Sequence, residues 1–222
     1  MTPESCRLPF GTLVALGSVW GLSEAGLGLA LETCAKAISG SVMTGIALFF
    51  ISAAWVRTKR VAGPALVTAI ALAFKLLDAA WLGLPVKHGA VANPMFAFVT
   101  EAAAFVIIAP LIAEAWRSRT AGRAALGGLS ALAAVNLFPL AGFVTGVPAC
   151  VMPSGIPQSL AYTHIAAAVA ALAVPLGFLA AAKIETYEGR LAAAPNAPAL
   201  RWLAPAGTAV LCLAAQGLIR AL

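Results

Sequence analysis

Long apolar runs separated by short polar or Pro/Gly-rich links make up almost the whole chain. The runs cover residues 9–33, 38–56, 62–85, 93–116, 124–147, 159–182 and 202–220. A helix needs about 20 apolar residues to cross the hydrocarbon core of a bilayer, so each run is predicted to be a transmembrane helix. Membrane-barrel strands would instead alternate polar and apolar residues over about 10 positions, and no such alternation is present. The expected fold is an all-α, polytopic transmembrane bundle with six core helices and a seventh at the C-terminus. The seventh run is, with 38–56, the shortest, and it ends at Arg220. Residues 183–201, polar and rich in Ala and Pro, read as a cytoplasmic linker, so residues 1–182 form the core and residues 202–222 look appended.

The links differ in charge, and that difference orients the bundle. Arg57, Lys59 and Arg60 follow helix two, Arg117, Arg119 and Arg123 follow helix four, and Lys183, Arg190 and Arg201 follow helix six. The other links carry only Lys36 and Lys87. Basic residues are retained on the cytoplasmic side, so nine against two places the even links and the N-terminus in the cytoplasm. The outer links 85–94 and 146–158 are rich in Pro and Gly and read as irregular backbone.

Composition agrees with this pattern. Of 222 residues, 62% are hydrophobic and 10% charged, whereas a soluble domain carries about 25% charged residues. The net charge of +6 is accounted for by the topology-setting links and does not call for a nucleic-acid partner. No Gly-x-Ser-x-Gly elbow, His-Glu-x-x-His zinc motif or phosphate-binding loop occurs, and Asp78 is the only aspartate. The chain therefore reads as a non-enzyme without a cofactor, dependent on a partner for any ATP-driven step.

Ionisable side chains at membrane depth are costly unless they face a partner or a cavity. Glu24, Lys75, Asp78, Glu101 and His164 fall inside the runs. Glu24, Asp78, Glu101 and His164 all come in the outer halves of their helices, about 9–15 Å from the outer ends. That pattern predicts one outward-facing cavity. Lys75 and Asp78, three apart, can also pair on one helix face. Trp20 and Glu24 share a face with Gly28, an arrangement suited to a flat or cationic small molecule. A stripe of small residues, Gly11, Ala15, Ser18, Gly21 and Ala25, lies on the same helix and allows close helix packing, within the chain or against another subunit.

The sulfur-bearing residues form a further set. Cys34, Met43, His88, Met95, Cys150 and Met152 fall at or near the outer surface in this topology. Soft ligands of these types suit copper and related metals, and Cys34 with Cys150 could instead form a disulfide on an oxidising side. No Cys-x-x-Cys motif is present.

Over residues 9–182 the chain resembles the S components of energy-coupling factor micronutrient transporters. The resemblance rests on the stripe Gly11, Ala15, Ser18, Gly21 and Ala25, on the polar set Glu24, Asp78, Glu101 and His164, and on Gly63-Pro64-Ala65 after the basic turn. It implies a multi-pass protein of a bacterial or archaeal cytoplasmic membrane that captures a vitamin-like solute near the outer surface. It further implies that the stripe docks on a transmembrane coupling subunit powered by two ATPases. Glu24, Asp78 and Glu101 would bind cationic or hydrogen-bonding groups, Trp20 and Trp81 would stack on the solute, and His164 would complete the site. The chain departs from the family pattern in its seventh helix and in lacking the Met-His start of the cobalt and nickel members. Two other readings stay open on the same residues: a soft-metal carrier or sensor, and a non-catalytic anchor subunit of a membrane complex.

Overall fold

A computed structural model describes residues 9–30, 36–149, 155–192 and 197–221, and among them every long element is an α-helix. The seven long helices are α1 (Phe10–Ala30), α2 (Lys36–Thr58), α3 (Ala62–Trp81), α4 (Gly89–Leu111), α5 (Thr120–Leu137), α6 (Thr163–Ala192) and α7 (Ala197–Ala221). A 3-10 turn at Phe138–Leu140, holding Pro139, and a short helix Ala141–Thr145 extend α5. From α2 to α7, six helices are long and apolar enough to cross a membrane. α1 has 21 residues, which at about 1.5 Å each also match a core of roughly 30 Å.

Local chemistry moves several ends away from where the apolar runs place them. α4 starts at Gly89, four residues before the run at 93, because His88 caps it: its Nδ1 accepts a hydrogen bond from the Ala90 N–H at 3.3 Å. α6 continues through Ala192, taking up the first half of the segment expected to be a linker. The extension is held at the basic end of the bundle. Arg57 at the end of α2 pairs with Glu185 at 3.4 Å and with Glu188, and the Thr12 hydroxyl of α1 donates to Glu188 as well. Those contacts gather the start of α1, the end of α2 and the end of α6 at one end.

Glycines set the close contacts between helices. On α5 a Cβ at Gly127 would run into the Ala170 carbonyl of α6. On α6 a Cβ at Gly177 would meet Ser52 and the Phe49 carbonyl of α2. Gly17 and Gly21 of α1 receive Ile70 and Phe74 of α3. Backbones can approach this closely only where no side chain intervenes, and such packing is a main source of helix association in lipid. The interior is filled by Trp20, Leu48, Ile51, Val67, Phe98, Phe105 and Leu126. Leu172, Leu176, Leu179, Leu203, Val210 and Leu211 are exposed, as expected of faces turned to lipid.

α7 is integrated rather than appended. It packs along α1 and also touches α3 and α6. Buried Gln216 donates its amide to the Phe74 carbonyl at 3.1 Å. Ser18, Gly21 and Ala25 of the small stripe are consequently buried within the chain, while Gly11 and Ala15 are half-buried. The inner part of the stripe, expected to dock on another subunit, serves helix packing inside this molecule.

Candidate functional site

At the end of the bundle away from the basic links lies a half-enclosed cavity of about 610 Å³, in the range typical of small-molecule sites. Helical spacing builds it. Gly40, Met43 and Thr44 come from one face of α2, Lys75 and Asp78 from α3, and Asn93, Ala97 and Glu101 from α4. Glu24 enters from α1, Phe138 from the turn after α5, Tyr162 from just before α6, and Arg220 from α7. Pro94 also lines the cavity. A proline has no N–H to offer the carbonyl four residues before it, so the Ala90 carbonyl, on the same wall, loses its helical donor there.

The charged side chains divide into two groups. Asp78, only 4% exposed, is gripped in a fork by Arg220: Nε to Oδ1 is 2.5 Å and Nη2 to Oδ2 is 2.9 Å. This is the two-pronged geometry in which a guanidinium holds a carboxylate most firmly. Lys75 adds a third member at 3.6 Å. Glu24 and Glu101 stand apart from this cluster; Glu101, buried, is hydrogen-bonded by Thr44. Neither Glu24 nor Glu101 is in a salt bridge among the described residues. Counted formally, three carboxylates against two cations give the lining one net negative charge. Phe98, Phe138 and Tyr162 give the rest of the wall an aromatic side, beside the polar Thr44 and Asn93. A small molecule carrying hydrogen-bond donors and a flat apolar part fits the chemistry of that lining.

The structure brings together Glu24, Asp78 and Glu101 and sets three other expected site residues outside the lining. Trp20 is fully buried one layer deeper. Its ring packs at 4.9 Å from Phe98 and lies parallel to Phe50 at 6.4 Å, so it supports the aromatic wall instead of stacking on a solute. The reason is depth: one helical turn from Glu24 toward the middle of the bundle, α2 and α4 close over it. Trp81 is half exposed and sits beside Gly217 of α7, because α7 packs along that side of α3. His164 is exposed at the start of α6, where no neighbouring helix covers it. Arg220, Thr44 and Asn93 belong to the site without having been expected there. Arg220 did carry a signal: it is a basic residue at the outer end of a predicted helix, against the charge bias that orients the chain.

The soft-ligand set is only partly visible. Cys34, Cys150 and Met152, and with them any Cys34–Cys150 bond, lie outside the described residues. His88 serves as the α4 cap, Met95 is half-buried, and Met43 lines the cavity. Cys212 is free and buried. Among the described residues no three His, Cys, Asp or Glu side chains are arranged to hold a metal ion. No family model, curated protein or solved structure matches the chain.

Proposed function

We propose that this protein is a membrane solute-capture subunit that binds a small cationic, hydrogen-bonding micronutrient at the outer face of the membrane. The observation carrying this reading is the cavity at the end opposite the basic links, where carboxylates from three helices converge with an aromatic wall. Glu24 and Glu101 take the cationic group. Asp78, already committed to Arg220 and Lys75, holds α3 and α7 together at the mouth and leaves those two cations to face any acceptor on the solute. Phe138 and Tyr162 flank the apolar part.

Uptake then requires a second protein. The chain has no phosphate-binding loop, so reorientation of the loaded subunit is driven by an ATPase-coupled membrane partner, as in the transporters that the sequence resembles. Since Ser18, Gly21 and Ala25 are buried within the chain, that partner engages a different face or displaces a neighbouring helix.

The test is direct binding of a panel of vitamins and their amine-bearing precursors to the protein in lipid nanodiscs. A hydrogen bond to a charged group contributes about 1.5–3 kcal/mol, so Glu24→Gln and Glu101→Gln should each weaken the bound solute by roughly ten- to hundredfold. Unchanged affinity in both variants removes this cavity as the site.

A further inference from the structure

A second groove runs between α3 and α4 on the lipid-facing surface, with a volume of about 300 Å³. Val61, Ala65, Ala69 and Leu72 form one wall and Val99 and Val106 the other. Val61 and Val99 are about half exposed and Ala65 and Ala69 are exposed, so the groove opens outward with a shallow floor. Between Val61 and Leu72 it is about 16 Å long at roughly 1.5 Å per residue. A bilayer core is about 30 Å thick, so the groove is as long as one leaflet and stops near mid-membrane. Its open end begins directly after Lys59 and Arg60 in the α2–α3 turn, both exposed and both at the basic end. Lys59 takes a left-handed backbone there (φ 53°), and the Thr58 hydroxyl braces the turn by donating to the Arg60 carbonyl at 3.0 Å.

We propose that groove and turn together bind an anionic phospholipid of the leaflet on the basic side, one acyl chain lying along α3 and α4 and the phosphate meeting Lys59 and Arg60. A helix about 10 Å across from a partner protein would need a seam through the whole bilayer, whereas this groove covers one leaflet. An acyl chain needs only that length, and its headgroup meets positive charge where the groove ends. The site shares no residue with the cavity at the opposite end, so it stands or falls independently of the solute-capture reading.

The experiment is native mass spectrometry of the intact protein in neutral detergent, supplied with equal amounts of phosphatidylglycerol and phosphatidylcholine bearing identical chains. Phosphatidylglycerol should be retained preferentially. A basic residue near anionic lipid is worth about a fivefold change in binding, so Lys59→Gln with Arg60→Gln should lower its retention by roughly twentyfold and leave phosphatidylcholine unaffected. Ala65→Leu with Ala69→Leu keeps both charges and fills the groove; it too should lower phosphatidylglycerol retention. Both pairs replace exposed residues and leave the buried packing alone. Equal retention of the two lipids, undiminished retention in the filled groove, or a second polypeptide held by wild type and lost from the filled variant would each overturn the proposal.

Discussion

At the scale of single residues, the Asp78 cluster has the largest energetic consequence. A buried carboxylate is tolerable in a membrane only with partners, and Asp78 has two charged ones, Arg220 and Lys75. Removing one member of a buried ion pair costs about 3–5 kcal/mol because the other is left uncompensated. Asp78→Ala should therefore lower the thermal unfolding midpoint of the detergent-solubilised protein sharply. Adding Arg220→Ala to it should restore much of the loss, since the stranded guanidinium goes too. Additive losses in the double variant would mean that the two side chains act separately. The cluster also explains which site residues could be read from the chain. Glu24, Asp78 and Glu101 were legible because a carboxylate within an apolar run must find a polar space. Trp20, Trp81 and His164 were not, because helical spacing gives the direction of a side chain along its own helix and says nothing about which neighbour covers it.

Between elements, the packing is decided by glycine positions, and two adjacent ones make a controlled comparison. A Cβ on Gly127 would collide with the backbone carbonyl of Ala170, which cannot rotate away, whereas on Gly128 it would meet the Ala167 carbonyl at 3.6 Å, an ordinary contact. Overpacking of a tight interface costs about 1–3 kcal/mol. Gly127→Ala should thus destabilise the protein by that amount, while Gly128→Ala should be neutral or slightly favourable; midpoints measured side by side decide it, and equal shifts would show that α5 and α6 are not in this contact. Helix number and type were readable from the apolar runs because seven stretches of spanning length admit few alternatives. Ends were less readable. The α4 start depends on a His88 cap, and the α6 extension on Glu188 meeting Arg57 and Thr12. Both are contacts between residues that apolar periodicity does not weigh.

Across the whole molecule, the direction in which the cavity faces decides its use. Odd helices run from the basic end toward the cavity and even helices run back, as the pairing of Gly17 with Ile70, Gly21 with Phe74 and Arg220 with Asp78 requires of α1, α3 and α7. Orientation is then predicted by charge bias alone: nine Lys and Arg in the even links against two in the odd ones should keep the former in the cytoplasm. A reporter fused after Ser118 should behave as cytoplasmic, with green fluorescence and no phosphatase activity. Fusions after Val86 and at the C-terminus should behave as external, with active alkaline phosphatase. The C-terminal fusion is the most discriminating, because α7 must cross the membrane for Arg220 to reach Asp78. A cytoplasmic C-terminus combined with an external position 86 would break that ion pair and remove one wall of the site. A full reversal of all three reporters would turn the same cavity toward the cytoplasm, where its carboxylates would meet solutes leaving the cell instead of entering it.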